Sequence, residues 1–101
     1  MPRPLDLRRP PIVHFRKLGR HQADGLAFIE PQEPDRFGTI HIDERLRGRL
    51  LLETLIHEII HQVHPAMQEP DVRRLGRYIA LCLWAWGVRL DEEHLKELVE
   101  P

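Results

Sequence analysis

The chain has 101 residues, 42% of them hydrophobic and 31% charged, which supplies apolar material for one core, is too short for two, and excludes wholesale disorder. Fifteen Lys and Arg against sixteen Asp and Glu give a net charge of −1, and no run of like charge is long enough to act as a nucleic-acid arm, so nucleic acid is not the expected partner. The longest apolar stretch, Ile79 to Gly87, falls far short of the roughly 20 residues of a membrane helix, and a single cysteine, Cys82, allows no intramolecular disulfide and fits a reducing, cytoplasmic setting.

Residues 1–11 carry Arg3, Arg8 and Arg9 among Pro2, Pro4, Pro10 and Pro11 and read as a flexible leader without a secretion signal. Residues 12–101 then form the one expected domain. Ile12 to Lys17 alternates imperfectly, Leu26 to Ile29 is a short apolar run, and Thr39 to Asp43 puts Ile40 and Ile42 on one face with His41 on the other. Three strands follow from this, with turns at Gly19, at Asp24-Gly25, and through a long polar loop from Pro31 to Gly38.

From Leu46 the pattern becomes helical. Leu51, Leu52, Leu55, Ile56, Ile59, Ile60 and Val63 cover a wide apolar arc, with Asp43 as the N-cap and Pro65 as the stop. A second helix is predicted from Pro70 or Asp71 to Trp86, on the spacing of Val72, Leu75, Ile79, Leu83 and Trp86, and Gly87 ends it. Asp91 to Glu100 can form a third, short helix capped by Asp91, with Leu95, Leu98 and Val99 as its apolar side. Strands first and helices after predict an α+β fold rather than a parallel βαβ arrangement. Trp84 and Trp86 are expected to close the core between the second helix and the sheet, Cys82 to be a small buried hydrophobe, and His14, His21 and His94 to be exposed.

The chemistry concentrates at His57-Glu58-Ile59-Ile60-His61. Histidines four apart on a helix share a face and can chelate one cation, and zinc accepts such nitrogens at about 2.0 to 2.1 Å while a catalytic site leaves a position for water. Zinc lowers the pKa of that water toward about 7, and a neighbouring carboxylate, Glu58, can take its proton and return it to a leaving amine. A third ligand is required. His64 lies on the same face but roughly 10 Å along the axis from His57, which makes it a bystander or a helix C-terminal cap. Glu69 is better placed, because the break at Pro65 lets the next helix turn back on the first; Asp71 is the reserve.

The run Leu51 to Gln62, followed by Pro65, Glu69 and Val72, resembles the minimal gluzincins, small HExxH zincin-like metallopeptidases of the kind found in phages and prophages. The resemblance covers roughly residues 37 to 87. It implies a minimal zincin fold for the domain, a small three-stranded sheet followed by the active-site helix and a packed second helix, with one zinc ion held by His57, His61 and Glu69. It also implies a peptide or protein substrate bound as an added strand along the edge strand of the sheet, for which Thr39, Ile40, His41 and Ile42 are the candidates. Where many gluzincins carry an acidic residue one turn after the glutamate ligand, this chain has Arg73, so the partner that orients the first histidine is unassigned. The gap of seven residues between His61 and Glu69 matches the minimal versions alone.

Tyr78, His41, His64 and Arg73 are the residue types available to stabilise a transition state, none favoured over the others, with Tyr78 half a helical rotation from Glu69 and readable as a packing residue. Glu53, one turn before His57, is either a support for that histidine or a surface residue. The expected activity is zinc-dependent peptide hydrolysis. The rival from another class is a zinc-stabilised regulatory or interaction domain without turnover, and a further variant has the tail from Asp91 covering the cleft with His94.

Overall fold

The computed structural model describes residues 8, 10–17, 25–27 and 39–97, the side chains of 25–27 excepted. Most of the expected leader, the loop from Pro31 to Gly38, His21, Leu98 and Val99 lie outside the described residues. The fold is α+β: strands β1 (Ile12–Arg16), β2 (Gly25–Ala27) and β3 (Thr39–Asp43) precede helices α1 (Gly48–Val63), α2 (Glu69–Ala85) and α3 (Glu92–Glu97).

The sheet order is β1-β3-β2. β1 runs parallel to β3, with Val13 opposite Ile40 and Phe15 opposite Ile42, and β2 runs antiparallel to it, with Gly25 opposite Ile42 and Ala27 opposite Ile40. β3 therefore lies in the middle, and all five of its residues are buried. This corrects the expectation that Thr39 to Ile42 offers an edge to substrate: pairing on both sides uses up the backbone groups that strand addition needs. His41 is buried too, stacked on His14 across the β1–β3 pair with ring centroids 5.3 Å apart. His14 is half-buried rather than exposed.

Alternation along β3 sends Ile40 and Ile42 to the core face, where they meet Leu46, Leu51 and Leu55; Val13, Phe15, Leu90 and Leu95 pack around that cluster. α1 thus joins sheet to helices. α2 packs on α1 through Val72, Gly76 and Ala80, buried positions spaced four apart on one face. The expectation that Trp84 and Trp86 seal α2 against the sheet fails for this reason. Trp86 is 75% exposed, and Trp84 lies by Gly48, its Cη2 3.7 Å from where a Cβ would stand, with the Arg89 guanidinium 3.6 Å above its ring. Cys82 is half-buried.

Asp43 does not cap α1. Its buried carboxylate accepts the Arg45 N–H at 2.9 Å and the Arg45 guanidinium at 2.9 and 2.6 Å, bonds that hold its pKa down at about 2. The helix begins at Gly48, later than Leu46, because Gly48 takes φ +60, which regular helix cannot run back through. Arg47 supplies no capping side chain; instead Glu92 of α3 accepts the Gly48 N–H at 3.3 Å. At the far end of α2, Gly87 adopts φ +91, with Val88 N–H bonded to Leu83 C=O and Gly87 N–H to Trp84 C=O, the paired bonds of a Schellman stop. Asp91 caps α3 as expected, accepting the His94 N–H at 3.0 Å.

Candidate metal centre

The buried positions of α1 are Leu51, Leu52, Leu55, Glu58 and Gln62. Residues 51, 55, 58 and 62 recur at spacings of four, three and four, so one stripe that starts as leucine against the sheet ends as glutamate and glutamine. Gln62 is satisfied there, its Nε2 donating to the Thr39 carbonyl at 3.2 Å. Glu58 is 5% exposed, and burial, aided by the nearby charge of Glu69, pushes its pKa from 4.5 up to about 7.

His57 and His61 each precede a member of this stripe by one residue, which turns them about 100° around the axis and leaves them half-buried on the flank that α2 approaches. A Cβ at Gly76 would lie 3.5 Å from the Cα and N of His57, so the helices come close at the first histidine because α2 has no side chain there. The start of α2 then delivers Glu69. Its carboxylate oxygens lie 2.8 Å from His57 Nε2 and 2.9 Å from His61 Nε2, and the two Nε2 atoms are 3.1 Å apart. One ligand atom from each of His57, His61 and Glu69 lies within 4.8 Å of the others, and the group can hold a metal ion.

The other residues singled out by sequence fall elsewhere. Asp71, the reserve ligand, pairs with Arg74 at 3.3 Å. His64 is the C-cap of α1, its N–H bonded to the Ile60 carbonyl at 2.8 Å. Glu53 stands 3.9 Å from the Arg77 guanidinium and so links α1 to α2. Tyr78 is 64% exposed, against its reading as a packing residue, and lines an open groove with Arg73. Among the described residues none of these touches His57, His61 or Glu69 through a polar contact. Gly76 and Gln62 were not assigned site roles by sequence; a glycine inside a helical pattern was the available signal for the first.

Comparison of the chain with protein-family models, with curated proteins and with solved structures finds no match.

Proposed function

We propose that the protein is a zinc-dependent metallopeptidase of minimal gluzincin type, in which His57, His61 and Glu69 hold one zinc ion and Glu58 moves the proton. The observation that carries this reading is the convergence of two Nε2 atoms and a carboxylate from two helices beside a buried carboxyl group, Glu58, that stands outside the ligand set and forms no salt bridge among the described residues. The donor set suits zinc: two imidazole nitrogens and one carboxylate are ligands it accepts in hydrolytic sites, and donors at about 2.0 to 2.2 Å in a tetrahedron lie about 3.3 to 3.6 Å from one another. The separations of 2.8 to 3.1 Å need only a few tenths of an ångström of outward movement.

When bound, zinc supplies a Lewis acid and brings the pKa of water toward about 7. Glu58 accepts the proton of the attacking water and delivers it to the departing amine nitrogen. Its placement on the buried stripe keeps bulk water away and keeps its proton affinity near neutrality, where a group can both take and give. Gln62 and the leucines below hold that part of α1 against the sheet, so Glu58 keeps its position relative to the two histidines.

Glu58→Gln tests the assignment. Zinc content, measured on the purified protein, should remain at one ion per chain, while cleavage of a peptide library should fall at least about a hundredfold. Cleavage at the wild-type rate would remove Glu58 from the chemistry, and absence of zinc from wild-type protein would remove the enzyme reading altogether.

A further inference from the structure

α2 bears a second feature that the metal centre does not use. Arg73, Arg74, Arg77, Tyr78 and Leu81, with Pro70 at the start of α2 and Arg49 of α1, line a groove of about 580 Å³. Positions 70, 73, 77 and 81 fall along one side of the helix, about 100° around from Glu69, and eleven residues of rise carry that stripe about 16 Å along the axis. Its first residue adjoins Glu69.

The groove holds four guanidinium groups. Arg74 meets Asp71 at 3.3 Å and Arg77 meets Glu53 at 3.9 Å, whereas Arg49 and Arg73 form no ion pair among the described residues. Two cations thus remain without an ion-pair partner at this surface among the described residues. Between the guanidinium heads the wall is mostly apolar, made by arginine stems, the Tyr78 ring and Leu81. Guanidinium forks recognise carboxylates in bidentate fashion, and the apolar floor takes aliphatic side chains.

We infer that this groove binds an acidic polypeptide segment, with glutamate or aspartate side chains on Arg49 and Arg73 and an interposed apolar side chain on Tyr78 and Leu81, and so sets the substrate class of the adjacent centre. About five extended residues span its length. Delivery to the centre rests on the peptidase reading above; binding does not. Peptide is favoured over nucleic acid because phosphate-backbone binding draws on a broad positive surface, and here Asp71 and Glu53 sit among the arginines.

The test uses the full chain as Glu58→Gln with zinc present, titrated into a fluorescein-labelled peptide alternating Glu and Leu, its Gln-for-Glu counterpart, and a single-stranded oligonucleotide of equal charge, read by anisotropy. The Glu peptide should bind more tightly than the Gln peptide, weaken with added salt, and lose roughly tenfold in affinity in the Arg49→Gln/Arg73→Gln double variant. Among the described residues neither arginine holds an ion pair, and a thermal melt confirms that the variant folds; should it fail to, the Glu-against-Gln comparison decides on its own. Equal binding of both peptides, affinity indifferent to the double variant, or preference for the oligonucleotide overturns the inference. With active protein the two proposals separate: acidic peptide bound but never cut leaves the groove and removes the peptidase, whereas neutral peptides cut with no preference for acidic ones leaves the peptidase and removes the groove.

Discussion

Gly76 sits where α2 crosses α1 at His57 of the candidate metal centre, and its replacement gives a graded experiment. A Cβ at this position would stand 3.5 Å from the Cα and N of His57 and 3.7 Å from its Cβ, ordinary van der Waals contact, so Gly76→Ala fits without moving α1. Alanine also removes the conformational entropy that glycine costs a helix interior, up to about 1 kcal/mol. The variant should therefore be more stable by about 0.5 to 1 kcal/mol, raising the melting temperature of the metal-free chain by about 3 to 6 °C. Its zinc affinity, measured by competition with a chelator, should be unchanged. Gly76→Leu differs in kind: atoms beyond Cβ have to enter space held by the His57 backbone, which forces α2 away from α1 and Glu69 away from Nε2 of both histidines. Zinc affinity should then fall by roughly tenfold or more, since one of the three proposed ligands is displaced. An alanine variant that melts lower than wild type, or a leucine variant that binds zinc normally, would refute the close crossing at His57 and with it the account of how Glu69 reaches the histidines.

Glu58 should make the metal-free chain sensitive to pH. Its folded pKa of about 7 lies above the ordinary 4.5, so the folded state holds the proton more tightly, and stability present below pH 4.5 is lost as pH rises to 7, by at most on the order of 3 kcal/mol; melts of chelated wild type and Glu58→Gln across that range should diverge, and parallel curves would count against a buried carboxyl group. Leu51 is wholly buried between α1 and the sheet, so Leu51→Ala should cost about 2 to 5 kcal/mol in chemical denaturation, and a loss under 1 kcal/mol would show that the cluster is not the core. Glu92→Gln retains an acceptor for the Gly48 N–H but loses the charge at the helix start and beside Arg47; the expected loss is about 0.5 kcal/mol, lessened by salt, and Glu92→Ala should exceed it.

Local periodicity made much of this molecule readable. The apolar spacing of α1 and α2, the histidine pair at four residues and the stop at Gly87 are all short-range, and short-range order is what sequence encodes directly. Glu69 followed from the same logic, since a break at Pro65 leaves few places for the next helix to point. What failed was long-range. Nothing in Thr39 to Asp43 states that β1 and β2 will both pair with it, and Asp43, which looked like a helix cap, is taken instead by Arg45, two positions on and nearer than the first residue of α1. The partner that α1 does use at its start is Glu92, 44 positions on. The tryptophans were misplaced because α2 packs on a helix through small residues and has no sheet to cover.

The seam on which Glu58 lies has a consequence for how the chain tolerates change. His57 and His61 flank the core, so altering them empties the site without opening a cavity beneath it. Glu58 occupies a place where leucine would be the more stable occupant of the metal-free fold, because an aliphatic side chain there carries no desolvation penalty. Screening a library at this codon for heat resistance alone should drive it to an apolar residue, and, on the peptidase reading proposed above, screening for turnover should return glutamate; the distance between those two winners would then measure what this small domain gives up to hold a carboxyl group in its interior.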